Sequence, residues 1–305
     1  MASRGVPAFF FFFMPSSSPH YQHPRFKLFC EACAWTRTQC PTLTLSALRT
    51  FLIVAEGGRA TCISYDDIAS RAGLDYIQAA HHIEQLSTGR AGHEGLELIT
   101  RREEANRRYR TVNLTEKGSD LVRHFVPPEL EVRSKEGSTV QEAKLNEALR
   151  GGPLPAIHFA IDALPGIALG TFTVLLEIAR NEARFGFEGM PAKTIAEQLG
   201  ISNFPRHLSM LSDGLKGRDG FRLVECITSP EDRRIKLPRL TAKGHRVVSQ
   251  IAALVCGEAL IVPRRAKPEK AIELASADMI SSLDDADFDP AFDVDDPDET
   301  LKVTK

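Results

Sequence analysis

Two arginine pairs stand at matching places in the sequence. Asp232-Arg233-Arg234 precedes Leu240-Thr241-Ala242-Lys243-Gly244, and Asn106-Arg107-Arg108 precedes Leu114-Thr115-Glu116-Lys117-Gly118. The copies lie 126 residues apart throughout. A β-like run links each pair to its Thr-x-Lys-Gly. Further cations crowd around both, with Arg101, Arg102, Arg107, Arg108 and Arg110 in the first copy and Arg222, Arg233, Arg234, Lys236 and Arg239 in the second. Arginine suits phosphate because its planar guanidinium donates two hydrogen bonds at once. A stiff hairpin carrying such groups can lie along a nucleic-acid backbone. Asp232 is expected to orient a neighbouring arginine, a pairing weakened in the first copy by Asn106.

Other reactive groupings point elsewhere or nowhere. His20, His23, Cys30 and Cys33 have ligand types and spacings that could close a tetrahedral zinc site. The stretch between them is short, Pro24 stiffens it and no strand pattern surrounds it, so no metal or cofactor is expected. Six cysteines in 305 residues lack the density of a disulfide scaffold, which points to a reduced, cytoplasmic protein. Cys62, Cys226 and Cys256 sit among apolar neighbours and read as small core residues. No Gly-rich phosphate loop, nucleophile elbow or supported carboxylate pair is present, so the chain is not expected to be an enzyme.

The elements that must position the arginines follow one order twice. Leu45, Leu48, Leu52 and Ala55 recur at helical spacing. Ser64 is a fitting N-cap for a helix over Tyr65–Ala72, and Gly73 stops it. Asp75 caps a third helix from Tyr76 to about Leu86, with Ile77, Ala80, Ile83 and Leu86 as its expected buried stripe. Strands over Leu96–Arg101 and Arg108–Leu114 form a hairpin, and Thr115 opens a closing helix. The second copy runs through helices over Ile167–Ala179 and Lys193–Leu199, the Gly200 turn, and a helix from Asn203 to about Leu211. Pro205 is harmless near the start of that helix. Strands over Phe221–Thr228 and Arg234–Leu240 follow, then a helix over Thr241–Val255. Gly73 to Leu86 spans thirteen residues and Gly200 to Leu211 eleven, so the third helices should differ.

Base-reading side chains are expected on the exposed faces of those third helices. They are Tyr76, Gln78, His81, His82 and Gln85 in the first copy, and Ser202, Asn203, Arg206 and His207 in the second. Gln, Asn and Arg can make bidentate contacts with base edges.

These elements divide the chain into an irregular segment at 1–43, with a short helix around Phe26–Trp35, and a first domain at 44–127. A polar linker at 128–163 holds one helix over Val140–Leu149. A second domain covers 164–258 and an acidic tail 259–305. The formal net charge is only −2, yet Ser281–Glu299 holds nine Asp or Glu and no Lys or Arg. Such a tail reads as solvated and disordered, or as a competitor with DNA for basic surface. The apolar run Ala8–Met14 falls short of the ~18 residues a membrane helix needs. Only Arg4 precedes it as a cation, so export is not expected either.

Helix, glycine turn, helix, hairpin and closing helix is the plan of a winged helix. The sequence resembles the MarR-type winged-helix transcriptional regulators over about 45–125 and 165–255. The resemblance rests on Leu43-Thr44-Leu45-Ser46-Ala47-Leu48-Arg49, on Ile-Ala before each turn (Ile68-Ala69 and Ile195-Ala196), and on the Asp232-Arg233-Arg234 to Lys243-Gly244 signature. It implies a mainly α fold with small β-hairpin wings, in two tandem winged helix-turn-helix domains. It also implies a sequence-specific regulator that binds double-stranded DNA, with recognition helices in the major groove and Arg-rich wings on the phosphates. Family members often respond to a small aromatic effector, and the apolar helix over Ile167–Ala179 could line its pocket, although core packing explains that helix equally well. Members usually carry one module and act as homodimers. Two modules here imply either a monomeric pseudo-dimer or a homodimer with four. A plasmid- or phage-type replication initiator with tandem winged helices stays open, as does a protein-interaction module.

Overall fold

The computed structural model describes residues 19–57, 62–90, 93–103, 110–126, 139–186 and 189–257. Within them the protein is mainly helical with small antiparallel sheets. The Phe-rich N-terminus, the Asn106-Arg107-Arg108 tip and the acidic tail lie outside the described residues.

Within the segment expected to be irregular, the helix expected around Phe26–Trp35 is present and longer than expected. After a 3-10 turn at Pro19–Gln22, α1 runs from Pro24 to Gln39, 16 residues, with Pro24 in its first turn. Missing backbone N–H groups are harmless there. Phe26, Phe29, Cys30, Ala32, Cys33 and Thr36 are all buried. The Phe29 ring meets Phe125 at 6.2 Å and Phe172 at 6.3 Å, both edge-on, so this helix packs against both halves of the chain.

Polar caps define the first half. Thr44 accepts the Ala47 amide to start α2 (Leu45–Glu56), and α2 ends at Gly57. Residues Ile63–Ser64 form β1, after which the Ser64 hydroxyl accepts the Asp67 amide at the start of α3 (Tyr65–Ala72). Gly73 closes α3 at φ 59, and Asp75 accepts the Gln78 amide to begin α4 (Tyr76–Leu86). Each such cap is worth about 1 kcal/mol. A small hairpin, β2 (Gly89–Arg90) with β3 (His93–Glu94), leads into β4 (Ile99–Glu103) and β5 (Arg110–Leu114). Strand order is β1-β5-β4, with Ile99 opposite Leu114 and Glu103 opposite Arg110. Thr115 caps α5 (Glu116–Arg123).

The expected linker contributes two helices, α6 (Thr139–Arg150) and α7 (Pro153–Ala163). Helix α6 packs on α2, while α7 packs on α2. The second half then repeats the order with α8 (Leu169–Phe185), α9 (Ala192–Leu199), Gly200 at φ 61, and α10 (Phe204–Leu211). The small hairpin recurs as β6 (Gly214–Leu215) with β7 (Arg218–Asp219), followed by β8 (Val224–Thr228), β9 (Lys236–Leu240) and α11 (Ala242–Cys256). Helix α7 reaches α11 as well. Here the sheet stays two-stranded. Pro238, at the place of Val112, supplies no N–H for a third strand, as expected of an edge.

One hydrophobic core runs through both halves, from Phe51 and Ile83 through Phe29 and Ile157 to Phe172 and Ile251. The repeat reaches the first helices too: Leu48, Thr50, Phe51 and Glu56 match Leu169, Thr171, Phe172 and Glu177 at a constant spacing of 121 residues. Glu56 is 4% exposed and pairs with Arg71 of α3 and Arg150 of α6. That carboxylate ties the first half to the middle helices.

Two sequence expectations fail in the packing. Ile77 is 68% exposed and Ala80 only half-buried; the buried stripe of α4 is Ala79, Ile83 and Leu86. Cys62 and Cys226 are exposed and Cys256 is half-buried, whereas Cys30, Cys33 and Cys40 are in the core. Burial pushes the Cys30 and Cys33 thiols well up, which suits inert packing groups. No described helix is long and apolar enough to cross a membrane.

Candidate nucleic-acid interface

The Thr-x-Lys-Gly motif forms a joint that holds the third helix, the long hairpin and the closing helix together. In the first half Leu98 donates to the Leu86 carbonyl (2.8 Å), Thr115 donates its amide to Leu98 (3.1 Å), and the Thr115 hydroxyl donates to Glu97 (2.7 Å). In the second half Leu223 donates to Leu211 (2.7 Å), Thr241 to Leu223 (2.9 Å), and the Thr241 hydroxyl to Arg222 (2.9 Å). Glu97 and Arg222 share a left-handed backbone, φ 56 and 55. Gly118 and Gly244 lie so close that an added Cβ would stand 2.0 and 2.1 Å from the Leu98 and Leu223 carbonyl oxygens. The motif therefore sets the angle between hairpin and helices. The Lys243 ammonium donates to the Phe221 carbonyl (2.8 Å), which places this cation in the joint as well.

The exposed faces of α4 and α10 are narrower than the sequence suggested. Tyr76, Gln78 and His81 are exposed on α4, as are Ser202 and Arg206 in and before α10. His82 is half-buried and shares a 2.9 Å hydrogen bond with the Thr50 hydroxyl of α2. His207 does the same with Thr171 of α8, also at 2.9 Å. Asn203 is exposed, but its amide oxygen accepts from His207 Nε2 at 3.0 Å, which leaves Nδ1 as the acceptor for Thr171. Gln85 is half-buried and donates to the Thr42 carbonyl at 2.9 Å. His82, Gln85 and His207 therefore also help to position their helices. Only their place in the repeat hinted at this: His82 and His207 lie 125 residues apart, and the threonines match in turn.

The cations divide similarly. Arg101, Arg102 and Arg110 are exposed, and with Tyr65 and Thr88 they line a recess of about 420 Å³ beside α4. Arg101 donates to the Thr88 hydroxyl at 3.0 Å. The Tyr65 ring lies 6.1 Å from that of Tyr76, which links the recess to the start of α4. Arg107 and Arg108 lie outside the described residues. In the second hairpin Arg222, Arg233, Arg234 and Lys236 are exposed, with Lys236 donating to the Thr228 hydroxyl at 2.9 Å. Arg239 is 7% exposed and faces Gly189, so it belongs to the hairpin's packed side. Among the described residues no arginine side chain pairs with Asp232; its carboxylate accepts the Arg234 backbone amide at 2.9 Å and shapes the turn.

Burial holds the pKa of His82 below its ordinary value, with Arg49 and His81 adding to the effect. Burial does the same for His207, reinforced by Arg37 and Arg206. A depressed folded-state pKa stabilises the fold fully above the unfolded value near 6.5, and that contribution is lost as pH falls through the folded value. The melting temperature is therefore expected to drop as pH falls below about 6.5. Circular dichroism melts of His82→Gln with His207→Gln should show a smaller drop than wild type; an equal drop would place the acid sensitivity elsewhere. His158, also held down by burial, accounts for a residue of it.

No protein-family model matches the sequence, and comparison with curated proteins finds no match.

Proposed function

We propose that the protein is a sequence-specific double-stranded DNA-binding regulator of MarR-like type, built from two tandem winged helices. In this reading α4 and α10 are recognition helices for the major groove, and the hairpins β4–β5 and β8–β9 are wings that run along phosphates. The observation that carries it is the repeated joint: a helix, a left-handed glycine, a helix and a cation-bearing hairpin, locked by the same hydrogen bonds in both halves. Exposure of Arg101, Arg102, Arg110, Arg233, Arg234 and Lys236 supports it, because phosphate contacts need solvent-facing cations.

The shared core supports a pseudo-dimer over two freely jointed modules. Helix-turn-helix dimers place recognition helices one DNA turn apart, roughly 34–36 Å. Here one chain supplies both helices. They are unequal, 11 residues in α4 and 8 in α10, which favours an asymmetric site.

Fluorescence anisotropy on a random-sequence duplex tests the class. Binding at low salt that weakens steeply as salt rises is expected, with a non-specific Kd of about 10⁻⁴–10⁻⁶ M at physiological salt. No binding at low salt overturns the reading. Light scattering on the complex tests stoichiometry: one chain per duplex supports the pseudo-dimer, and two chains remove it.

A further inference from the structure

We infer that the first recognition helix reads thymine, through contact of the Ile77 side chain with the C5-methyl group in the major groove. This rests on the DNA-binding reading and names the base class that half of the site takes.

Among the described residues the exposed large apolar side chains are Tyr76, Ile77, Phe185, Leu215 and Ile227. Two are adjacent in the first turn of one eleven-residue helix, where Tyr76 is 46% and Ile77 68% exposed. Ile77 is not a fraying end. Asp75 accepts the Gln78 amide at 2.7 Å and fixes the start of α4, while His82 and Gln85 tie its later turns to α2 and to the Thr42 carbonyl. The helix is held so that an isoleucine faces water. One helical turn on, exposed His81 continues the same face, opposite the buried Ala79, Ile83 and Leu86.

Charge around this apolar spot points to the occupant. Tyr76 leans toward Tyr65, and Tyr65 borders the recess carrying Arg101, Arg102 and Arg110. Cations to one side of a small apolar centre match a phosphate backbone bordering a groove whose one apolar group is the thymine methyl. Exposed Gln78 is next in sequence, and its amide can take adenine N6 and N7, so neighbouring side chains suit A·T pairs. Helix α4, Tyr-Ile-Gln-Ala-Ala-His-His-Ile-Glu-Gln-Leu, contains no arginine or lysine for guanine. Helix α10 has the opposite character. Arg206 is exposed there, while Phe204, Leu208 and Leu211 are buried.

The test uses the full chain and a duplex recovered by selection from a random pool. Thymines are replaced by deoxyuridine one at a time, which removes only the methyl. Wild type is expected to lose about five- to tenfold in affinity at one or two positions of one half-site. Ile77→Ala should bind the thymine and deoxyuridine duplexes alike, with the salt dependence of wild type, and Ile77→Leu should keep part of the preference. Wild-type binding indifferent to every replacement overturns the inference and leaves the DNA-binding reading intact. So does a methyl effect that persists in Ile77→Ala, or an Ile77→Ala that changes only self-association. Failure of wild type to bind any duplex removes the DNA-binding reading itself.

Discussion

Gly244→Ala is expected to destabilise the protein by about 3 kcal/mol, although alanine in place of glycine within a helix ordinarily gains about 1 kcal/mol. The sign reverses because of what the methyl meets. An added Cβ at 244 would lie 2.1 Å from the Leu223 carbonyl oxygen and 3.0 Å from its carbon, both backbone atoms. Leu223 cannot withdraw cheaply. Its amide donates to Leu211 at the end of α10, and its carbonyl accepts from Thr241 at the start of α11. Moving it would break the joint that sets the hairpin against both helices. Gly118→Ala should behave alike, since its Cβ would lie 2.0 Å from the Leu98 oxygen. Urea denaturation of each variant checks this, and a stabilising alanine at either position would show that the joint yields.

The capping chemistry was legible in the sequence because it is local. Ser64, Asp75, Thr115 and Thr241 each accept an amide three residues on, and the glycines after α3 and α9 take the left-handed conformation their types suggest. The phase of α4 was not legible. Ala80 and Ala79 stand three and four residues before Ile83, so the pattern offers two stripes that share Ile83 and Leu86, and the one reaching Ile77 looks the better core. What selects the other stripe is non-local: Thr50 holds His82, and the Thr42 carbonyl holds Gln85. Helix α1 was legible only in part, as a short helix around Phe26–Trp35, for a related reason. It touches the halves on different sides, through Phe125 and Phe172 around Phe29 and through Trp35 stacked 3.9 Å from His124. Its apolar residues therefore do not fall on a single stripe, and an amphipathic pattern is what periodicity can detect.

The histidines carry the same lesson into the site. His81 and His82 are neighbours with similar prospects in the sequence, yet one faces solvent and the other is bonded to α2. Polar residues at helix-surface spacing were read as contacts for a ligand. Three of the nine, His82, Gln85 and His207, instead tie down the helix that presents the rest. A reader of base edges needs such fixing, because a contact displaced by about 1 Å loses much of its discrimination.

Replacing Arg233 and Arg234 together by alanine is expected to flatten the salt dependence of DNA binding by about 1.8 in the slope of log K against log salt. That corresponds to two phosphate contacts at about 0.9 each. Affinity near 50 mM salt should fall roughly ten- to a hundredfold, with the preferred base sequence unchanged, because phosphate contacts position without specifying. Both side chains are exposed at the turn between β8 and β9, and the turn is rigid: Ile235 donates to Asp232 (3.0 Å), Ser229 to Ile235 (3.0 Å), and Arg234 to the Asp232 carboxylate (2.9 Å). Removing the guanidinium groups leaves those bonds in place, so the variant separates charge from shape. Asp232→Asn makes the complementary test. An amide oxygen accepts the Arg234 N–H as a carboxylate does, so the turn should hold, and on the proposed function DNA binding should strengthen slightly as one negative charge leaves the turn. If Asp232 acted by pairing with an arginine, the same change would weaken binding. An unchanged salt slope in the double-alanine protein would mean that this hairpin does not lie on phosphate, whatever the rest of the molecule does.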